Sequence, residues 1–135
     1  MRRGLGNDTL DYISSNHYPL EVEKKHLEYP YASHGAIGLE TCFAALCSNL
    51  SAELDLDTII QKLGIGPRKA LNMPVPKIEK GEKAKLTVFD PGAKWTYQEE
   101  NIQSLSNNSP FINQNFQGRV IATINGTNIS ISNPG

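Results

Sequence analysis

The chain has 135 residues, 39% of them hydrophobic and 20% charged, enough for one small domain with a modest core and too little for a large enzyme. Thirteen Lys and Arg stand against fourteen Asp and Glu, a net charge of -1, so no basic surplus draws the chain to nucleic-acid phosphates or acidic lipid. Its apolar runs fall far short of the roughly 20 residues of a membrane helix. The charged start Met1-Arg2-Arg3-Gly4-Leu5-Gly6 is not followed by the apolar stretch of a secretory signal. The cytosol is the expected compartment, with neither nucleic acid nor a membrane as partner.

Residues 10–15 alternate apolar and polar side chains and predict a short strand that stops at Asn16-His17. Residues 18–37 have no sustained period and are punctuated by Pro19, Pro30 and Gly35. They predict a long loop with a turn of helix at 22–27, and loops of that length are usually functional or mobile. Leu39, Cys42, Phe43, Leu46, Cys47 and Leu50 then fall on one helical stripe. Cys42 and Cys47 point to different sides of that helix and are expected to stay reduced. Asp57 predicts the cap of a second helix through Ile59, Ile60 and Leu63, ended by Gly64, and Pro67 suits the first turn of a third through Ala70 and Leu71.

After Pro76 the pattern changes. Residues 84–89 predict a strand, Pro91-Gly92 a turn, and residues 94–97 its partner; residues 104–117 read as a polar loop. Residues 119–124 and 127–132 predict two strands around Asn125-Gly126, the strongest hairpin signal in the chain. One strand with three helices cannot make a parallel sheet, and four short antiparallel strands are marginal without a covering surface. The order fits the end of a longer β/α barrel chain.

Asn16 and His17 stand where that first strand ends, which in β/α barrels is the active-site face. They also suit a plain turn, since Asn accepts unusual backbone angles and His17 can bond the loop. His26 lies in the charged run Lys24-Lys25-His26-Leu27-Glu28 and is expected in solvent. His34 precedes Gly35, where a glycine allows close backbone approach. The three histidines lack the spacing of a zinc motif. Ser14, Ser15 and Ser33 lack a nucleophile elbow, and Gly64-Ile65-Gly66-Pro67-Arg68-Lys69 lacks the spacing of a phosphate loop.

Taken together, Leu10-Asp11-Tyr12-Ile13-Ser14-Ser15-Asn16-His17-Tyr18-Pro19 and Tyr31-Ala32-Ser33-His34-Gly35-Ala36-Ile37-Gly38-Leu39-Glu40-Thr41 resemble the last barrel strand and following helix of the dihydroorotases, in the amidohydrolase superfamily. Residues 76–81, 84–91, 108–111 and 118–126 resemble that family's C-terminal β segment. The resemblance runs from about Leu10 to the last hairpin, and Gly38-Leu39-Glu40-Thr41 is its most specific part. It implies an α/β fold: the C-terminal piece of a TIM-barrel-type metal-dependent amidohydrolase plus a small antiparallel β segment. Residues 1–75 would be the last βα element with its following helices, and residues 76–135 the C-terminal part of a composite β domain.

The resemblance also implies a chemistry. Dihydroorotases interconvert N-carbamoyl-L-aspartate and dihydroorotate in pyrimidine synthesis, with zinc-bound hydroxide attacking a ring amide. Their last strand ends in Asp-His-x-Pro-His, where the Asp contacts metal and shuttles the proton and the final His helps hold substrate. Here Asn16 takes the Asp position and Leu20 that of the final His, while Ser33-His34-Gly35 replaces the loop whose backbone lies against substrate. A carboxamide can lend its oxygen to a metal but takes no proton from water at neutral pH. Asn16 is therefore the catalytic-position residue, impaired as a base, and the one metal-ligand candidate; His34 and Gly35 are expected to face substrate.

The family's remaining ligands are a His-x-His pair, a carboxylated lysine and two further histidines, all on earlier strands. Catalytic zinc sites use about three protein ligands, so this chain alone is expected to hold no zinc and to have no activity. The implied partners are the missing N-terminal barrel portion and the two substrates. An alternative is a non-catalytic paralogue serving as scaffold or partner subunit for another pyrimidine-pathway enzyme. A third reading is an independent small α+β binding module. Hydantoinases and allantoinases share the barrel and β tail.

Overall fold

The apolar stripe around residue 46 forms the central helix of the computed structural model, which describes residues 2–132. This helix, α2 (Cys42–Leu50), buries Ala44, Cys47 and Leu50. Leu39 stays outside it, 66% exposed. One end of α2 joins an apolar cluster of Leu5, Leu50, Leu54 and Ile59, with Leu46 and Leu63 against it. Its other side supplies Ala44 to a second cluster with Tyr97 and Phe116, flanked by Trp95 and Phe111. Cys42 and Cys47 are free thiols, as their spacing requires. A short helix that the sequence did not signal, α1 (Arg2–Gly6), brings Leu5 to the first cluster, and Arg2 pairs with Glu53.

The expected second and third helices are one continuous rod: α3 (Leu56–Ile60), a π turn (Gln61–Ile65) and α4 (Gly66–Ala70). Its cap is Asp55 rather than Asp57. Asp55 is extended, and its Oδ1 accepts from the Thr58 N–H at 2.7 Å, while Asp57 lies inside the first turn. Gly64 does not end the helix, because the Gly66 N–H reaches back to the Gln61 carbonyl. That wider turn directly precedes Pro67, which has no N–H to give and whose ring would crowd an ordinary α turn.

Gly66 lets this rod touch the segment of residues 11–12. A Cβ there would sit 2.4 Å from the Asp11 carbonyl oxygen and 3.3 Å from the Tyr12 Cβ. Backbone cannot yield as a flexible side chain does, so Gly66→Ala should destabilise the chain by about 1–3 kcal/mol. Thermal denaturation checks this, and an unchanged midpoint would mean that the rod does not approach the segment in solution.

Lys62, 6% exposed, ties the same region together. Its ammonium donates to Asp8 Oδ1 at 2.8 Å and to the Leu10 carbonyl at 2.5 Å, and its carbonyl accepts from the Ile13 N–H at 2.9 Å. The hydrogen bond and charge of Lys62 hold the Asp8 carboxyl below its ordinary value of 3.8, and the bond from Thr58 does the same for Asp55. Groups lowered in the folded state stabilise above their ordinary value and lose that contribution as pH falls through the folded one. The stability gap between the unmutated chain and Asp55→Ala should therefore be full at about pH 7 and shrink toward zero at about pH 2. Melting curves at the two pH values read it directly, and a gap that persists in acid would contradict the cap.

The C-terminal half folds as a three-stranded antiparallel sheet, β1 (Lys85–Thr96), β2 (Asn115–Asn125) and β3 (Asn128–Ile131), in that order, rather than four short strands. Pro91-Gly92 does not reverse the chain. Asp90 Oδ1 accepts from the Gly92 and Ala93 N–H groups at 2.8 and 3.2 Å, and the pairing passes from Asp90↔Arg119 to Lys94↔Gln117. Residues 91–93 thus bulge opposite Gly118, and β1 is an edge strand where a proline at a bulge costs no ladder bond. Residues 94–96 continue β1 along β2, which begins at Asn115 inside the expected loop. The hairpin is present one residue late: Asn125 pairs with Asn128 around Gly126-Thr127, with Gly126 at φ +66°.

Residues 10–15 form no strand: Leu10 lies in a bend and the rest carry no regular structure. Alternation fixes which faces the side chains take and supplies no ladder partner, and the one isolated parallel bridge among the described residues, His17 to Ala36, lies just beyond the segment. The loop that follows carries one 3-10 turn, Val22–Lys24, within the expected 22–27. Among the described residues no helix is long and apolar enough to cross a membrane.

Candidate functional site

Residues 10–15 lead to Asn16, an exposed residue in the left-handed region at φ +46°. Asparagine visits that region more readily than most residues, and its N–H lies 3.3 Å from Ser14 Oγ. The bend delivers His17 to Ala36, and the Tyr18 N–H donates to the Ala36 carbonyl at 2.9 Å. His17 Nδ1 accepts from the Gly38 and Leu39 N–H groups, both at 3.2 Å. In the neutral ring this puts the imidazole proton on Nε2. His17 is thus a brace between the segment and the approach to α2.

Gly35 stands at φ +141°, and a Cβ there would meet Tyr18 Cδ1 at 2.5 Å, the Tyr18 carbonyl at 3.0 Å and Leu20 Cδ1 at 3.1 Å. Tyr18 and Leu20 thus pack against the Gly35 backbone. His34, one residue earlier, is exposed and makes no hydrogen bond among the described residues. His26 is exposed as well. The loop is fastened from the C-terminal half: Ser106 Oγ donates to the Leu20 carbonyl at 2.7 Å, Asn108 Nδ2 to the Gly35 carbonyl at 2.7 Å, and the Ile37 N–H to the Asn108 carbonyl at 2.9 Å.

A second junction forms at Glu40. Its carboxylate accepts from the Tyr97 hydroxyl at 3.1 Å and from the backbone N–H groups of Gln103 and Ser104 at 3.1 and 2.8 Å. Tyr97 is 1% exposed, and its burial, followed by the negative charge of Glu40, pushes its hydroxyl far above the ordinary tyrosine value. Thr41, also 1% exposed, leaves its Oγ1 without a hydrogen-bond partner among the described residues.

Asn16 offers one neutral oxygen, and among the described residues no three His, Cys, Asp or Glu side chains gather. Sequence reasoning did not find Lys25, Glu40 or Asn108 as site-building residues. Lys25 was hidden in a charged run that reads as solvated, and Asn108 in a polar stretch rich in Asn and Ser. Glu40 had one signal, a carboxylate at the mouth of an apolar helix.

No protein-family model matches the chain. Individual proteins do. The chain is 33% identical to the dihydroorotase of Elusimicrobium minutum over 135 residues, which is 98% of this chain and 31% of that protein. It is 37% identical to the dihydroorotase of Clostridium acetobutylicum over 122 residues, 89% of this chain and 29% of that protein. Over nearly its whole length the chain is similar to dihydroorotases. It spans about 30% of the length of those it matches.

Among solved structures, the L-hydantoinase (dihydropyrimidinase) of Arthrobacter aurescens matches 98% of this chain and 31% of its own, with TM-score 0.86 at 23% identity. The dihydropyrimidinase of Brevibacillus agri matches 98% and 30%, with TM-score 0.85 at 21% identity. These neighbours share the fold of this chain. Within it, the Gly38-Leu39-Glu40-Thr41 block is where the helical half meets the β half, through the Glu40 carboxylate.

Proposed function

We propose that this chain is the C-terminal segment of a cytosolic dihydroorotase-like cyclic amidohydrolase, acting on dihydroorotate and N-carbamoyl-L-aspartate when the preceding barrel strands complete it. In this reading residues 1–75 are the last βα element with its helices, and residues 76–135 the C-terminal part of the β domain. The observation that carries the proposal is the His17 to Ala36 bridge, which joins the residue after Asn16 to the residue after Gly35. Leu10 and Tyr12, 39% and 46% exposed along the segment before Asn16, support a neighbouring strand as their cover.

Opening a cyclic amide requires water to add to the ring carbonyl, the carbon–nitrogen bond to break, and the departing nitrogen to gain a proton. This chain supplies positioning: the Ser33 to Gly35 backbone as one wall of the ring site, and Asn16 as a neutral hydrogen-bonding group at its floor. The proton has no carrier at Asn16, because a carboxamide is neither acid nor base near neutral pH. Asn16 and Leu20, in place of the family's Asp and His, favour a second reading in which the protein is a non-catalytic scaffold or partner subunit for another pyrimidine-pathway enzyme.

One experiment separates the two. The chain is joined to the front portion of the Clostridium acetobutylicum dihydroorotase, in place of the segment it matches, and the folded hybrid is assayed for dihydroorotate hydrolysis. Turnover above that of the same hybrid with Gly35→Val supports the enzyme reading. A folded hybrid without turnover supports the scaffold.

A further inference from the structure

Lys25 lies in a run of charged residues, yet it is partly buried and its ammonium is used inside the loop. It donates to the Ser33 carbonyl at 2.7 Å and to the Gly35 carbonyl at 3.1 Å. The Gly35 carbonyl also takes the 2.7 Å bond from Asn108. Neighbouring Lys24 is exposed, and its only ion pair among the described residues is with Glu21 at 3.8 Å. An ammonium has three donors and no acceptor, so one point charge can gather several carbonyls, and charge-assisted bonds are the stronger kind. Because Gly35 has no side chain and a left-handed backbone pressed against Tyr18, the direction of its peptide has to be set from outside.

We propose that Lys25 is a positioning residue of the site: with Asn108 it fixes the Ser33 to Gly35 peptides, and so sets the wall against which a cyclic amide lies. The cyclic amide rests on the dihydroorotase-like reading; the clasp itself does not.

The test compares amide hydrogen exchange in the 135-residue chain and its Lys25→Met, Lys25→Arg and Lys24→Met variants. In Lys25→Met the amides of Tyr18, Ser33 and Ile37 should exchange about tenfold or more faster, with the β1–β2 ladder unchanged. Lys25→Arg should recover most of the protection, and Lys24→Met should match the unmutated chain. Unchanged exchange in Lys25→Met, or equal loss in Lys24→Met, overturns the proposal. Should Lys25→Met unfold the ladder too, the unmutated chain decides by nuclear magnetic resonance. Couplings from the Lys25 ammonium nitrogen to the Ser33 and Gly35 carbonyl carbons support the clasp, and a freely exchanging ammonium without them overturns it.

In the hybrid enzyme, Lys25→Met should raise KM for dihydroorotate about tenfold and leave kcat nearly unchanged, the signature of lost binding geometry. A fall in kcat at constant KM overturns the positioning role. If the unmutated hybrid turns nothing over, the enzyme reading fails, while the exchange result still decides the clasp.

Discussion

Asn16→Asp raises dihydroorotate hydrolysis by the hybrid enzyme about 10²–10⁴-fold, the usual worth of a positioned acid or base. The expectation follows from where Asn16 stands and what it lacks. It follows residues 10–15 at φ +46°, one residue before the His17 to Ala36 bridge, with its side chain exposed. Aspartate is nearly isosteric and also tolerates the left-handed region, so the exchange adds a titratable carboxylate with little disturbance of the backbone. The control is Asn16→Ala, which removes the amide and adds no base; it should not gain activity. No gain in Asn16→Asp would mean that the proton is moved by another group or that the site does no hydrolysis.

Tyr97→Ala should cost about 3–5 kcal/mol of stability, the range for emptying a buried aromatic site. Tyr97 is 1% exposed, packs edge-on against Trp95 at 5.9 Å, and fills the cluster between α2 and the sheet. Tyr97→Phe keeps the ring and withdraws the hydroxyl from Glu40, and should cost about 1–3 kcal/mol. The pair also predicts an alkaline dependence. Burial and the Glu40 charge raise the Tyr97 hydroxyl above its ordinary value of 10.0. Its contribution is therefore complete below about pH 10 and is lost as pH rises toward the folded value. Tyr97→Phe should lack that alkaline loss. Denaturant unfolding of the three proteins at neutral pH and at about pH 11 measures both effects, and parallel pH curves would rule out the buried hydroxyl as their source.

Several features were legible in the sequence because they depend on neighbours along the chain. The stripe through Cys42, Phe43, Leu46 and Leu50 makes a helix, Pro67 takes a first-turn position, and a glycine turn joins the last two strands. The order of motifs from Leu10 to Gly126 pointed to the dihydroorotases, to which the chain is similar. Other features depend on partners distant in the chain. Asp90-Pro91-Gly92 has the composition of a reversing turn, yet β2 pairs on both sides of it and makes it a bulge. Residues 10–15 alternate like a strand, but a strand needs a ladder, and the described residues give the segment none.

Charge and polarity were the least legible, since a lysine or asparagine in a polar run gives no sign of what it will reach. Lys25, Glu40, Lys62 and Asn108 acquire their roles from carbonyls, hydroxyls and amides that only the fold brings within hydrogen-bond distance. The sequence alone determined local periodicity and likeness to the dihydroorotases. The tertiary structure decided which strand paired, which helix ran on, and which polar groups fasten the loop after Asn16, because hydrogen bonds between distant residues obey proximity in space and leave no period along the chain.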